Sequence, residues 1–257
     1  VAIDNAMKWG FNWEMGPFET WDAMGVDKVV ARLELEGRKV PELARMVLKT
    51  PERRFYKNRL GTVSYFDCIS RKQVPLKIPE GMILLSSLRQ KKERIVRSIS
   101  GASLIDLDDG VLCLEFHSKM NTIRRETLEL TREALQLVHS DFAGMVIANQ
   151  GANFSAGVDL VQILRKARDR KWEEINKMIQ LFQATNMEIK YSSFPVVVAP
   201  FGLTLGGGCE ISLHGSAVQA SAETYMGLVE LSVGLIPAAG GTKEMVLRSL
   251  EKSPSQN

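Results

Sequence analysis

Two apolar runs in the second half of the chain each lead into a glycine-bearing loop and then a helical pattern. Met145–Ala148 is followed by Asn153-Phe154-Ser155-Ala156-Gly157-Val158-Asp159-Leu160. Pro195–Ala199 is followed by Gly202-Leu203-Thr204-Leu205-Gly206-Gly207-Gly208-Cys209-Glu210. Short apolar runs alternating with helices are the pattern of a sheet buried on both faces, so the class is α/β. The flanking residues agree. Ser103–Asp106, the Asp109-Gly110 turn and Val111–Phe116 read as a β-hairpin. Asn121 or Thr122 is placed to cap a helix carrying Ile123, Leu130, Leu137 and Val138. Further helices are predicted over about Asp159–Ala167 and Trp172–Met187.

The first hundred residues have a different grammar. Residues 1–60 read as all-α, with Ala2, Ala6 and Trp9 at helical spacing, then Phe18–Met24, Val26–Leu35 and Pro41–Leu48. Trp9, Trp13 and Trp21 are expected as core or interface anchors there. Residues 61–100 carry Pro75, Pro79, Gly81 and the charge run Arg89–Arg94, which predicts a linker with a solvated helix near Ile83–Ile95. The α/β domain then occupies 101–257. The chain opens on Val1 inside a helical pattern and closes on a polar tail, so the expectation is a piece of a longer protein.

Composition narrows the function classes. A chain that is 45% hydrophobic and 25% charged has the apolar content to bury a core, which excludes disordered and fibrous classes. A net charge of +3 is too mild to argue for nucleic acid and suits an anionic small molecule without identifying one. The apolar run Phe194–Pro200 is far short of the ~20 residues a membrane span needs. Cys68, Cys113 and Cys209 form no CxxC or Cys/His cluster, and His117, His139 and His214 are scattered, so no metal site is predicted. A reducing cytoplasm is the expected setting.

Each strand–glycine loop–helix unit leaves backbone N–H groups unpaired at a helix start. The Gly206-Gly207-Gly208 run is compatible with tight packing alone. Two N–H groups from different segments are also what an oxyanion hole requires. Neither loop is a phosphate-binding P-loop, and GxGxxG spacing is absent, so residues 1–257 are expected to lack dehydrogenase activity and tight NAD binding. Calorimetry on this chain checks that; micromolar NAD affinity would overturn it.

Glu210 falls in the first turn of the helix after the second loop, among Leu205, Cys209, Ile211 and Leu213, and Glu230 lies among Leu228, Val229, Leu231 and Val233. A carboxylate in apolar surroundings is either a costly buried charge or a functional one. Two of them would make an acid/base pair tuned by environment. His214, one helical turn after Glu210, is read as packing, and Cys209 as a small buried residue.

The ordered set Phe154–Leu160, Phe194–Ala199, Gly202–Glu210, Tyr225–Glu230 and Gly234–Thr242 resembles the crotonase (enoyl-CoA hydratase/isomerase) superfamily. Residues 1–60, through Ile3–Gly10 and Met15–Phe18, are similar to the C-terminal helical repeat of 3-hydroxyacyl-CoA dehydrogenases. Together they resemble a multifunctional fatty-acid β-oxidation protein. The resemblance implies a ββα spiral domain after a small all-α segment. It implies that the N–H groups of Val158 and Gly207 hold a thioester oxygen. Glu210 would help activate a water for attack at C3, and Glu230 would deliver a proton at C2.

Met120, Ala156, Asp159, Leu160, Gly206 and Ala238 are implied as further substrate-binding residues, with no metal. The substrate would be a CoA thioester, hydration would need no cofactor, and NAD would belong only to a dehydrogenase part upstream of Val1. The partner is an acyl-CoA, with no nucleic acid and no membrane span, and self-association stays open. Retention of both glutamates favours a hydratase; an enoyl-CoA isomerase and a catalytically silent scaffold are the alternatives. Ser216, Val229, Ala238 and Val161 depart from the family pattern, and the C-terminal helices that complete the family's pocket and trimer would follow Asn257.

Overall fold

In the computed structural model, residues 1–59, 62–77 and 81–252 are described, and the chain divides into two units, Val1–Gln90 and Lys91–Asn257. The first unit opens with four helices, α1 (Ala2–Phe11), α2 (Pro17–Met24), α3 (Val26–Leu35) and α4 (Glu42–Leu48). Pro17 stands at the start of α2, where its missing N–H costs nothing, and Glu19 accepts from the Gly16 N–H. Val26, Val30, Val40, Ala44 and Val47 share a core with Phe55 and Phe66.

Phe66 belongs to a strand, which corrects the expectation of a linker. β1 (Tyr56–Arg59), β2 (Thr62–Asp67) and β3 (Lys72–Pro75) form a three-stranded antiparallel sheet in the order β1-β2-β3. Its middle strand carries Thr62, Val63, Tyr65 and Phe66, the β-branched and aromatic type that suits a pleated, half-buried surface, and Tyr56 pairs directly with Tyr65. Asp22 on α2 accepts the Phe55 and Tyr56 N–H groups at 2.8 and 2.7 Å, tying helices to sheet. The expected all-α segment holds up to β1 at Tyr56, and the sheet that follows makes the first unit as a whole mixed. Trp9 and Trp13 are 82% and 49% exposed and so are not core residues, whereas Trp21 packs edge-on against Phe55.

The predicted helix near Ile83–Ile95 is also replaced. α5 is a single turn (Leu85–Leu88), the charge run ends in a 3-10 turn (Lys92–Arg94), and β4 (Ile95–Ile99) follows. Only Ile95 and Ile99 of this edge strand are half-buried, Val96, Arg97 and Ser98 between them are exposed, and the register shifts between Ile95 and Arg97, so no regular alternation marked the strand in the sequence. The boundary accordingly falls at 90/91, about one strand earlier than residue 100. Pro79, and residues 253–257 of the expected second domain, lie outside the described residues.

The second unit is built on a six-stranded sheet whose order from edge to edge is Ala217–Val218, Val196–Ala199, Gly144–Ala148, Val111–Phe116, Ala102–Asp106 and β4. β5 (Ala102–Asp106) and β6 (Val111–Phe116) form the expected hairpin, antiparallel with β4. β7 (Gly144–Ala148), β8 (Val196–Ala199) and β10 (Ala217–Val218) continue parallel from β6. Such parallel pairs need crossovers, supplied by α6 (Arg125–Asp141) between β6 and β7 and by α7 (Leu160–Arg168) and α8 (Trp172–Lys190) between β7 and β8. α6 starts beyond the predicted cap: Arg124 is its N-cap residue, and Asn121 and Thr122 belong to the turn before it.

Leu128, Leu135 and Val138 of α6 and Phe182 and Ile189 of α8 cover the same core as Leu104, Leu114 and Ile147 of the strands. β9 (Gly202–Leu205) pairs in parallel with β11 (Thr224–Gly227), α9 (Gly207–His214) follows β9, and α10 (Gly241–Lys252) closes the unit. No helix among the described residues is long and apolar enough to cross a membrane.

Candidate active site

Every residue of α9 is buried. Its entry is made by Gly206, at φ 51° and ψ −119°, a backbone conformation that a side chain would strain. The two glycine loops, some fifty residues apart in sequence, are joined main chain to main chain. Phe154 N–H donates to Phe201 O at 3.0 Å, Ser155 N–H to Leu203 O at 3.1 Å, and Leu205 N–H to Ser155 O at 2.9 Å. The Ser155 hydroxyl donates to Asn121 O at 2.8 Å and accepts the Gly157 N–H at 3.1 Å, which fixes the turn from inside.

Gly157 has φ +86°, and a Cβ there would lie 2.9 Å from Leu205 O and 3.2 Å from Gly207 N. That close approach places Val158, the next residue, beside Gly207. Val158 Cγ1 is 3.4 Å from where a Gly207 Cβ would stand. Among the described residues, neither the Val158 N–H nor the Gly207 N–H has an acceptor. Gly208 serves packing, since a Cβ there would be 2.7 Å from that of Ser155.

Val158 and Gly207 line a cavity of about 190 Å³ together with Glu210, Glu230 and Ala238. Its remaining wall is mostly apolar, with Ile163, Ile175, Met178, Ile179 and Phe182 from α7 and α8. Glu210 is 3% exposed, and its Oε1 accepts N–H bonds from Ala239 at 2.8 Å and Gly241 at 3.0 Å. Burial pushes its carboxyl above the ordinary carboxylate value, the two N–H bonds pull partly back, and the neighbouring Glu230 charge adds to the rise.

Glu230 opens a 3-10 turn (Glu230–Val233). Its Oε2 is buried with no hydrogen-bond partner among the described residues, and its Oε1 lies 3.1 Å from where a Gly206 Cβ would stand. Of the sequence neighbours expected to bury Glu230, Val229, Leu231 and Val233 are exposed and Leu228 is half-buried. A one-turn 3-10 segment has no apolar face to bury, and long-range contact with the Gly206 turn is what shelters this carboxylate.

The other implied binding residues divide. Ala238 lines the cavity; Met120, Ala156, Asp159, Leu160 and Gly206 do not. Ala156 N–H donates to Met120 O at 3.1 Å, so these two groups satisfy one another. Asp159 is the N-cap of α7, accepting the Val161 and Gln162 N–H groups, and it pairs with Arg124 at 3.2 Å. Gly206 N–H donates to Gly227 O at 2.9 Å. Leu160 and Val161 are exposed. Ser216 uses its hydroxyl to accept the Val196 N–H at 3.1 Å at the start of β8.

His214 packs behind the site. Its Nδ1–H donates to the main-chain carbonyl of Glu210 at 2.7 Å, and burial holds its pKa below the ordinary histidine value. Its Nε2 is 3.5 Å from Glu244, which Lys190 and Lys243 hold ionised at 2.7 and 2.9 Å. The Cys209 thiol is pushed up to about 12 by burial and the nearby glutamates, which makes it unreactive. Among the described residues no group of three or more His, Cys, Asp or Glu could hold a metal ion.

Two site residues escaped the sequence reading. Gln183 Nε2 donates to Ala238 O at 2.6 Å, and Asn186 Nδ2 donates to Ala239 O at 2.9 Å. The available signal was Asn186 itself, a polar residue on the helical face of Phe182 and Ile189, which is where a buried hydrogen bond is needed.

Comparison with known proteins gives the same picture. Residues 110–252, more than half of the chain, match the family described as enoyl-CoA hydratase/isomerase, and residues 1–65 match the 3-hydroxyacyl-CoA dehydrogenase C-terminal domain. A Bacillus subtilis protein named "Probable 3-hydroxyacyl-CoA dehydrogenase" is 45% identical over 251 residues, covering 98% of this chain and 31% of its own length. A fatty acid oxidation complex subunit alpha from Psychrobacter cryohalolentis is 26% identical over 141 residues, 53% of this chain and 20% of the relative. The chain thus spans about a third or less of these relatives. The crystal structure of an enoyl-CoA hydratase from Bacillus anthracis superposes with a TM-score of 0.51 at 23% identity over 57% of each chain, a likeness of fold. The fold and the ordered motifs agree with these matches, and the chain belongs to the enoyl-CoA hydratase/isomerase family, carrying ahead of that domain a stretch of the 3-hydroxyacyl-CoA dehydrogenase C-terminal domain family.

Proposed function

We propose that the second unit adds water across the 2,3 double bond of a trans-2-enoyl-CoA, within a longer protein of fatty-acid β-oxidation. The observation that carries this reading is the convergence of Glu210, Glu230 and the two unpaired N–H donors on one mostly apolar cavity. The thioester oxygen, held by the Val158 and Gly207 N–H groups, gathers negative charge as the adduct forms, and donors that strengthen with that charge lower the barrier. Glu210 takes a proton from the water whose oxygen bonds to C3. Glu230 gives its proton to C2, and the proton that Glu210 took from the water then passes from Glu210 to Glu230, so both carboxyls return to their starting state. Both added groups come from water, so this step uses no cofactor. Oxidation of the 3-hydroxy product with NAD belongs, in this reading, to other parts of the parent protein.

The test uses the full-length protein with crotonyl-CoA, following loss of the conjugated thioester absorbance. Rapid hydration supports the reading. Conversion of 3-enoyl-CoA to 2-enoyl-CoA without hydration would assign an isomerase, and acyl-CoA binding without either reaction a scaffold. The pH profile adds a second check. Glu210 acts as a base only when ionised, and its carboxyl is raised, so kcat should fall as pH drops through a value above the usual carboxylate range. An acid limb at or below that range would remove Glu210 as the base.

A further inference from the structure

The peptide unit between Ala238 and Ala239 is hydrogen-bonded at both ends. Its N–H donates to Glu210 Oε1 at 2.8 Å, and its carbonyl accepts from Gln183 Nε2 at 2.6 Å. The next carbonyl, Ala239 O, accepts from Asn186 Nδ2 at 2.9 Å, and Gly241 N–H makes the second bond to Glu210 Oε1 at 3.0 Å. Gln183 and Asn186 stand three residues apart on α8, so one helix face grips two successive carbonyls of the loop. A peptide whose carbonyl is engaged is fixed in plane and is a stronger N–H donor, because hydrogen bonds in a chain polarise one another.

We propose that Gln183, assisted by Asn186, is a positioning residue for the hydration reaction: it orients and polarises the 238–239 peptide so that its N–H holds the Glu210 carboxylate toward the cavity. The kinetic part of this proposal rests on the hydratase reading; the positioning part does not. Gln183 is exposed, so its bond is not needed to bury the residue. Other charged or titratable groups around Glu210 are Glu230 in the 3-10 turn, Cys209 and His214 on α9, Glu244 on α10 behind His214, and Arg124 and Arg125 on the cavity wall. α8 presents only Ile175, Met178, Ile179 and Phe182 to the cavity. The hydrogen bond that Gln183 makes goes to Ala238 O and to none of these groups.

The experiment compares Gln183→Glu, nearly isosteric but without the amide donor, with Gln183→Leu in the full-length protein. Carboxyl-labelled glutamate NMR follows the Glu210 titration, assigned by its loss in Glu210→Gln. Gln183→Leu should raise the Glu210 midpoint by about half a pH unit or more, since a weakened N–H donor favours the ionised form less; Gln183→Glu adds a like charge as well and should raise it at least as far. In crotonyl-CoA hydration both should lower kcat about fivefold to tenfold with KM nearly unchanged, and move the acid limb upward with the midpoint. Glu188→Gln, on the same helix but bonded to Arg132, should leave the midpoint unmoved. An unchanged midpoint in folded Gln183→Leu would overturn the proposal, whatever the charge of Gln183→Glu does. If the wild-type protein does not hydrate crotonyl-CoA, the functional reading fails, and the titration alone still decides the positioning role.

Discussion

Gly207→Val should abolish turnover, with a loss on the order of 10²–10³-fold or more, the scale of removing an oxyanion donor. A Cβ at this position would stand 2.8 and 2.9 Å from the Phe182 ring and 3.4 Å from Val158 Cγ1. Any side chain must therefore push either the ring or the start of α9, and both line the cavity. The N–H that remains would no longer lie beside that of Val158. Val158→Ala keeps its N–H and removes only methyl groups, so its rate should stay within roughly tenfold of wild type. Circular dichroism on both variants separates lost chemistry from lost fold, and Gly207→Ala provides a smaller step if Gly207→Val unfolds. Equal effects of Gly207→Ala and Val158→Ala in folded protein would show that the backbone donors are wrongly assigned.

Replacing either glutamate should be nearly as damaging. Glu210→Gln and Glu230→Gln are each expected to lower crotonyl-CoA hydration by at least ~10²-fold, the usual contribution of a positioned acid or base. Glu210→Gln retains an oxygen to accept the Ala239 and Gly241 N–H bonds, so the loop geometry should survive while the proton acceptor is lost. Glu230→Gln places an uncharged amide where Oε2 has no partner among the described residues, which removes the proton without breaking an internal bond. Single-turnover rates on the two variants read chemistry apart from product release. Near-wild-type turnover by either would remove that residue from the mechanism.

The two glutamates were legible, but for unequal reasons. Glu210 sits in a helix beside Cys209, Ile211 and Leu213, and that helix is buried throughout. The expectation of burial held, and the polar groups of that helix, Glu210, Ser212 and His214, are hydrogen-bonded inside it or by the loop at 239–241. Glu230 was reached by the same reasoning, yet Leu231 and Val233 are exposed, and the shelter of its carboxylate comes from the Gly206 turn. In the first hundred residues two features escaped the reading. One is the strand Ile95–Ile99; the other is a sheet whose second strand contributes Phe66 to the helical core.

Periodicity along the chain determined by itself the α/β class of the second unit, its hairpin, its crossover helices and the buried helix after Gly206. Those features depend on which side chains are apolar and at what spacing, and this information is local. The tertiary structure alone decided that the Val158 and Gly207 N–H groups would be neighbours. It also decided that Asp159 would cap a helix and that Gln183 would reach the peptide bonded to Glu210. The physical reason is that backbone N–H and C=O groups are the same in every residue. Which of them remain free, and what they face, is set by long-range register such as Ser155 against Leu203 and Leu205, which leaves no mark in side-chain pattern.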